Sequence, residues 1–297
     1  MTKALSEHDI QQILRGVTIP SPPQIIIDLR QEMAKPDPCF NTIIKLISGD
    51  VGLAGCILKT ANSPFYGGGG RFASINQAVM ILGMGTVMDI VNTVSLRNAM
   101  SAMKDLPPGL FAALTRFWDS ATDVARACAL VADKLRLPTR DQAYSLGLFH
   151  NAGIPLMMLK YKNYLDTLRE AYAAQNERIV DIENRRHDTN HAVMSFFVAR
   201  SWKLPGNLCD LIAAHHNLDM FLKGETKDTA VHQLLAILKI AEHLAGLHRV
   251  IGKQEQDWEW ERIGARAVEL AGLSQFDFDD LESQAQELGL GQQQYFA

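Results

Sequence analysis

The chain is predicted to be all-α, built as two packed helical halves, and three observations carry that expectation. Apolar residues recur at three- and four-residue spacing along nearly all of the 297 positions. No segment alternates apolar and polar residues as a half-buried strand does. The stretches between periodic segments hold prolines, glycines and capping residues, which stop helices. A chain of this length can bury one large core or two smaller ones that touch.

The elements follow in order. Ser21-Pro22-Pro23 reads as a cap and a preset first turn for a helix through Ile25, Ile26 and Leu29, which Pro36 and Pro38 stop. Phe40, Ile43, Ile44 and Ile47 share one face of a short helix. Asp50 can cap the next, carrying Leu53, Ile57 and Leu58 as far as Asn62-Ser63-Pro64. Gly67–Gly70 reads as a flexible loop, because no Lys-Ser/Thr follows it and no strand precedes it, as a phosphate cradle requires. Ser74 can cap a helix through Val79 and Leu82 that Gly83 ends, and Val87, Ile90, Val91 and Val94 line a longer one to about Ala102. Pro107-Pro108-Gly109 divides the protein into halves 1–106 and 107–297.

The second half opens on a long helix over 110–135, with Trp118, Val124, Ala125, Cys128 and Val131 inward. Pro138 breaks it and Asp141 can cap its successor. That helix leads into Gly147-Leu148-Phe149-His150-Asn151-Ala152-Gly153, where Gly153 would let the backbone turn. Further helices are expected over 162–175, 179–183, 189–202, 206–216, 230–247 and 258–270, with an acidic amphipathic end at 277–288.

Composition excludes several classes. The net charge of −4, with basic residues scattered and no recognition-helix or RNA-stacking pattern, argues against a nucleic-acid partner. Cys39, Cys56, Cys128 and Cys209 lack CxxC spacing and read as reduced packing residues in a reducing compartment. Met1–Leu5 is short and the polar run Ser6–Gln12 follows, unlike a secretory signal. The apolar stretches fall short of the roughly 20 residues of a membrane helix, so a cytoplasmic protein with no membrane partner is expected.

Histidines carry the chemistry. His150 follows an apolar run, His187 and His191 stand four apart as on one helix face, and His215 and His216 end another apolar helix. Glu242 lies on a mostly hydrophobic helix. Imidazoles and carboxylates from separate helices are the donor set of a transition-metal site in a helical protein. His8, His232, His243 and His248 read as surface or hydrogen-bonded core residues.

These residues fall into an ordered pattern. Ile19-Pro20-Ser21-Pro22-Pro23, Asp50-Val51-Gly52-Leu53, Leu58-Lys59-Thr60-Ala61-Asn62-Ser63 and Ser74-Ile75-Asn76-Gln77-Ala78-Val79 come first. Phe117-Trp118, Gly147-Leu148-Phe149-His150, Glu183, His191, Trp202-Lys203-Leu204-Pro205 and His215-His216 follow. The set resembles the HDOD domain, the HD-related output domain of bacteria, over about residues 19–247. The resemblance implies a C-terminal half like the HD phosphohydrolases, which hold metal with a histidine, a His-Asp pair and a later aspartate. By it, Ser120 stands in the first histidine's place, Asn151 in that of the pair's aspartate, and Glu242 in that of the final one. A neutral carbonyl and a hydroxyl are weaker ligands than the groups they replace.

The resemblance therefore implies a signal-transduction output or scaffolding module with a degenerate metal site at His150, His191, His215, His216 and Glu242. No catalytic residue is assigned, and one divalent zinc, manganese, iron or nickel ion is the cofactor such a set would take. The partner would be a signalling protein or a small nucleotide ligand. No receiver, cyclase or kinase-like segment is present, so input is expected from a separate molecule. Candidate contact surfaces are the Phe65–Phe72 loop and the acidic Phe276–Glu287 end. The alternative is a metal-dependent phosphohydrolase acting on a nucleotide or cyclic dinucleotide, with Arg185 and Arg186 as phosphate-binding cations.

Overall fold

A computed structural model describes residues 15–63, 72–101, 108–217 and 229–291, and no strand occurs among them. His8, the Gly67–Gly70 run, Pro107 and all of the Phe65–Phe72 loop but its last residue lie outside the described residues. The chain forms two compact units, one of Pro20–Lys104 and one that contains Asp105–Ala297.

The N-terminal unit holds α1 (Gln24–Met33), α2 (Phe40–Ser48), α3 (Val51–Ala61) and α4 (Ile75–Ser101). Asp50 caps α3 by accepting the Leu53 N–H at 3.0 Å, and Ser74 Oγ accepts the Gln77 N–H at 3.2 Å. The opening differs from expectation: Pro23 (φ −60°, ψ 155°) is the extended residue before α1, so both prolines precede the helix. Ile26, Leu29, Ile43, Ile47, Leu53 and Ile57 form the core. Gly83 adopts φ 75°, ψ 158° and breaks α4 where the sequence expects a stop. Contrary to the expectation that no apolar stretch is long enough, Ile75–Met100 has the length and apolarity of a membrane span, and 44% of its apolar 18-residue window is buried inside the protein.

The C-terminal unit comprises α5 (Pro108–Lys134), α6 (Arg140–Phe149), α7 (Gly153–Lys160), α8 (Tyr164–Ala173), α9 (Ile179–His187) and α10 (His191–Ser201). α11 (Gly206–Ala214), α12 (Thr229–Leu244), α13 (Leu247–Val250), α14 (Trp258–Ala271) and α15 (Gln275–Glu287) complete it. α5 is the central post, packed along α6 and α12, while α10 packs on α7 and α11, and α12 on α14. Thr139 is the N-cap position of α6, and Asp141 sits in the first turn instead of capping. Trp118 and Trp202 are almost fully buried. Phe149 meets Trp202 edge to face at 5.6 Å, one residue before His150. The four cysteines are free.

Asp123 ties the chain's far end to α5. Its Oδ2 accepts the Gly291 N–H at 2.9 Å while Oδ1 has no partner, and the residue is 2% exposed. Burial pushes its carboxyl from the usual 3.8 up to about 6, against the pull of Gly291 and Arg126. The native state then holds the proton more tightly than the unfolded chain, so stability falls as pH rises from the unfolded value through the folded one. Asp123→Asn keeps an acceptor and drops the buried charge. Urea titration is expected to show the variant more stable by about 1–2 kcal/mol near neutral pH, shrinking to nothing by about pH 4. Equal stability at both pH values would refute this.

Candidate metal centre

The centre is built where helices meet closely. A Cβ on Gly147 would stand 2.8 Å from Ala125 Cα and from Cys128 Sγ, so glycine lets α6 lie this tightly on α5. Past the end of α6, His150 is 1% exposed and its Nδ1 donates to the Gly147 carbonyl at 2.7 Å. Gly153 does not turn the chain as expected. Its φ is not positive; a Cβ there would lie 2.2 Å from the His191 carbonyl oxygen, so glycine serves the close crossing of α7 and α10.

That crossing sets His191, the first residue of α10, whose N-cap Asn190 accepts the Val193 N–H at 3.0 Å. The Glu183 carboxylate accepts both His191 Nδ1–H (2.7 Å) and the His191 backbone N–H (3.1 Å), and the Tyr164 hydroxyl donates to its other oxygen. Burial would raise the Glu183 carboxyl, but His191 and these bonds hold it below its usual value. At the end of α11, His215 Nδ1 donates to the Ile212 carbonyl at 2.7 Å, and His216 Nδ1 lies 3.3 Å from Glu259 Oε1.

All four Nδ1 atoms therefore face acceptors, which places their hydrogens there and leaves the Nε2 atoms as lone pairs. Those lone pairs converge. His191 Nε2 is 3.3 Å from His215 Nε2 and 3.1 Å from His216 Nε2. His150 Nε2 has no hydrogen-bond partner and lies 3.2 Å from Glu242 Oε1, an acceptor facing an acceptor. The donor atoms of His191, His215 and His216 lie within 4.8 Å of one another, as do those of His150, His215 and Glu242.

Acceptors held this close repel unless a proton or a metal ion bridges them. Ligands at ~2.0–2.1 Å from a tetrahedral ion are about 3.3 Å apart, which the observed spacings match. An imidazole bound through one nitrogen and donating through the other is also the usual form of a metal-ligating histidine. The donor set fits a divalent transition-metal ion.

Electrostatics point the same way. Burial first, then the neighbouring His216 and Lys239, push His215 well below the usual histidine value, and burial lowers His216. Both stay neutral and able to ligate at neutral pH. Lys239, 3% exposed, reaches within 2.8 Å of Glu242 Oε2 and 3.2 Å of Glu259 Oε1. These are close ion contacts, although the ammonium forms no well-aligned hydrogen bond. Burial would raise the carboxyls of Glu242 and Glu259, and Lys239 leads the groups that bring both below their usual value.

The five residues the sequence offers as ligands are thus gathered together. His187 is not with them: α9 ends on it, Asp188 turns left-handed (φ 55°), and α10 starts afresh at His191. Instead His187 Nε2 meets Thr167 Oγ1 at 2.9 Å and its ring lies against Tyr161. Arg185 and Arg186 are about half exposed and paired with Glu177 and Glu170. Ser120 Oγ and Asn151 Oδ1 are buried without partners. Sequence reading misses Lys239 and Glu259. A lysine one turn before Glu242 on an apolar helix was the available signal for the first, while nothing in the sequence links Glu259 to a histidine 43 residues away. A small cleft of about 30 Å³, lined by Lys239, Glu242, Trp258, Glu259 and Arg262 among others, touches the centre at Glu242.

Fold and site define a class: an all-helical protein that draws histidines and carboxylates from separate helices into one buried cluster. A family model for the HDOD domain matches residues 19–218, and the chain belongs to that family. An uncharacterized protein of Treponema pallidum is 28% identical over 203 residues, which is 67% of this chain and only 38% of that relative. Among solved structures, an HDOD domain protein of unknown function from Geobacter sulfurreducens superposes with a TM-score of 0.71 at 21% identity, over 93% of this chain and 92% of that one. A Marinobacter aquaeolei protein provisionally named for signal transduction gives 0.65 at 19% identity, over 96% and 61%. A Shewanella amazonensis protein provisionally named a metal-dependent phosphohydrolase gives 0.60 at 17%, over 93% and 95%. At these identities the likeness is one of fold.

Proposed function

We propose that the chain is a signal-transduction output module that holds one divalent transition-metal ion through His150, His191, His215, His216 and Glu242. The carrying observation is the set of four Nδ1 atoms facing acceptors while the Nε2 atoms converge. Such an ion, when bound, supplies a Lewis acid and lowers the pKa of a coordinated water. The chain's own residues are poorly arranged to use it for hydrolysis. By resemblance, Ser120 and Asn151 replace a histidine and an aspartate. Lys239 contacts Glu242 and Glu259, the carboxylates that would otherwise take a proton. The reading is therefore recognition: a small nucleotide or a signalling protein engages the surface around the cleft, beside a centre that the metal holds in shape. Free cysteines suit a cytoplasmic setting.

The phosphohydrolase reading has one observation in its favour, the cleft that opens on Glu242 and Lys239. Metal analysis after loading and desalting, with and without His215→Ala, tests the centre, because His215 belongs to both donor sets. The variant is expected to hold one equivalent less than the parent. Equal metal in both would sink the centre. Turnover of phosphate esters or cyclic dinucleotides by the loaded parent, lost in His215→Ala, would replace the output reading with the hydrolase.

A further inference from the structure

We propose a second divalent-cation site at His243, His248 and Asp257, at the N-terminus of α14. Their donor atoms lie within 4.8 Å of one another, from the end of α12, from α13 and from the N-cap of α14. Asp257 is fixed by its cap: Oδ1 accepts the Trp260 N–H at 3.0 Å, which aims Oδ2 away from the helix. Oδ2 then stands 2.9 Å from His243 Nδ1 and 3.3 Å from His248 Nδ1. The His243 ring is pinned flat on Trp260, with centroids 4.3 Å apart and planes at 10°.

Simple hydrogen bonding accounts for only half of this. His243 Nδ1 is well placed to donate to Asp257. His248 Nδ1, in a residue 6% exposed, is the same kind of atom at nearly the same distance yet makes no hydrogen bond. A buried nitrogen aimed at a carboxylate without a well-aligned hydrogen bond is a position that a shared cation would satisfy. Two imidazoles and one carboxylate with further positions open form a donor set that zinc, iron or nickel takes. The open side is available here, because His248 and Asp257 both line the cleft. The ion would bind through Nδ1 of both rings, with the His243 proton moving from Nδ1 to Nε2, so each ring carries its hydrogen on Nε2 and no proton is lost. It would tie α12, α13 and α14 together as one wall of the cleft.

Trp260 supplies a local probe. Nickel quenches tryptophan emission at short range, and Trp260 is the ring stacked on a proposed ligand. In full-length protein carrying His215→Ala, which disables the first centre, nickel is expected to quench saturably and one equivalent of zinc to be retained after desalting. Adding Asp257→Asn, which keeps a capping oxygen, is expected to abolish both. His248→Ala on the same background is expected to do the same, guarding against a folding defect in either variant. Trp260→Phe is expected to remove most of the quench while leaving the zinc equivalent. Quenching and zinc retention unchanged by Asp257→Asn and His248→Ala would overturn the site. So would their absence in His215→Ala protein that is folded by circular dichroism. Failure of the first centre alone would leave this result standing, since its ligands are different residues.

Discussion

Gly153→Ala is expected to destabilise the C-terminal unit by about 3–5 kcal/mol, as measured by urea unfolding. The added methyl would lie 2.2 Å from the His191 carbonyl oxygen, 2.6 Å from Met194 Cβ and 2.7 Å from Ser195 N. Two of those atoms are backbone, so no rotamer change relieves the clash. α7 would have to lift from α10, and with it would go the 2.8 Å bond from the Gly153 N–H to Ser195 Oγ. Because His191 opens α10 beside this crossing, metal retention is expected to fall too. Gly206→Ala is the control: its Cβ would meet nothing within 4 Å, and it should be near neutral. If Gly153→Ala is as stable as Gly206→Ala, the crossing is looser than described.

Lys239→Met is the other large effect, and its size depends on metal. Removing the ammonium leaves the buried Glu242 and the partly buried Glu259 together without their cation, a loss of about 3 kcal/mol for one broken partner of a largely buried ion cluster. Methionine fills a similar volume, so little of the loss comes from packing. Metal-free variant is therefore expected to unfold at much lower urea than metal-free parent. Zinc should recover more stability in the variant, because the ion then replaces the missing positive charge and meets no competing ammonium. A variant as stable as the parent without metal would show that Lys239 is incidental. Equal zinc stabilisation of the two would show that Lys239 and the ion do not share a field.

The helices were largely legible because their signals are local. Asp50 caps where the spacing places a start, and Gly83 breaks α4 where a stop is expected. Histidines 150, 191, 215 and 216 were legible as candidates from their chemistry and their place beside apolar runs. What remained hidden is long-range. Lys239 looks like any helical lysine until α14 brings Glu259 across to it, and the four-residue spacing of His187 and His191 reads as one helix face although Asp188 separates two helices there. Gly153 shows the third kind of limit. A glycine needed for close approach and one needed for a turn are written with the same letter, and only the neighbouring helix tells them apart.

The centre draws His150 from the end of α6, His191 from the start of α10, His215 and His216 from the end of α11, and Glu242 from α12, with Glu259 reaching in from α14. No local fragment contains it. During folding its ligands meet only after the loops that separate them have closed, so ion capture comes late and reports a completed chain topology. An ion held at this junction also ties helices far apart in sequence to one another, so its presence would make their opening more cooperative.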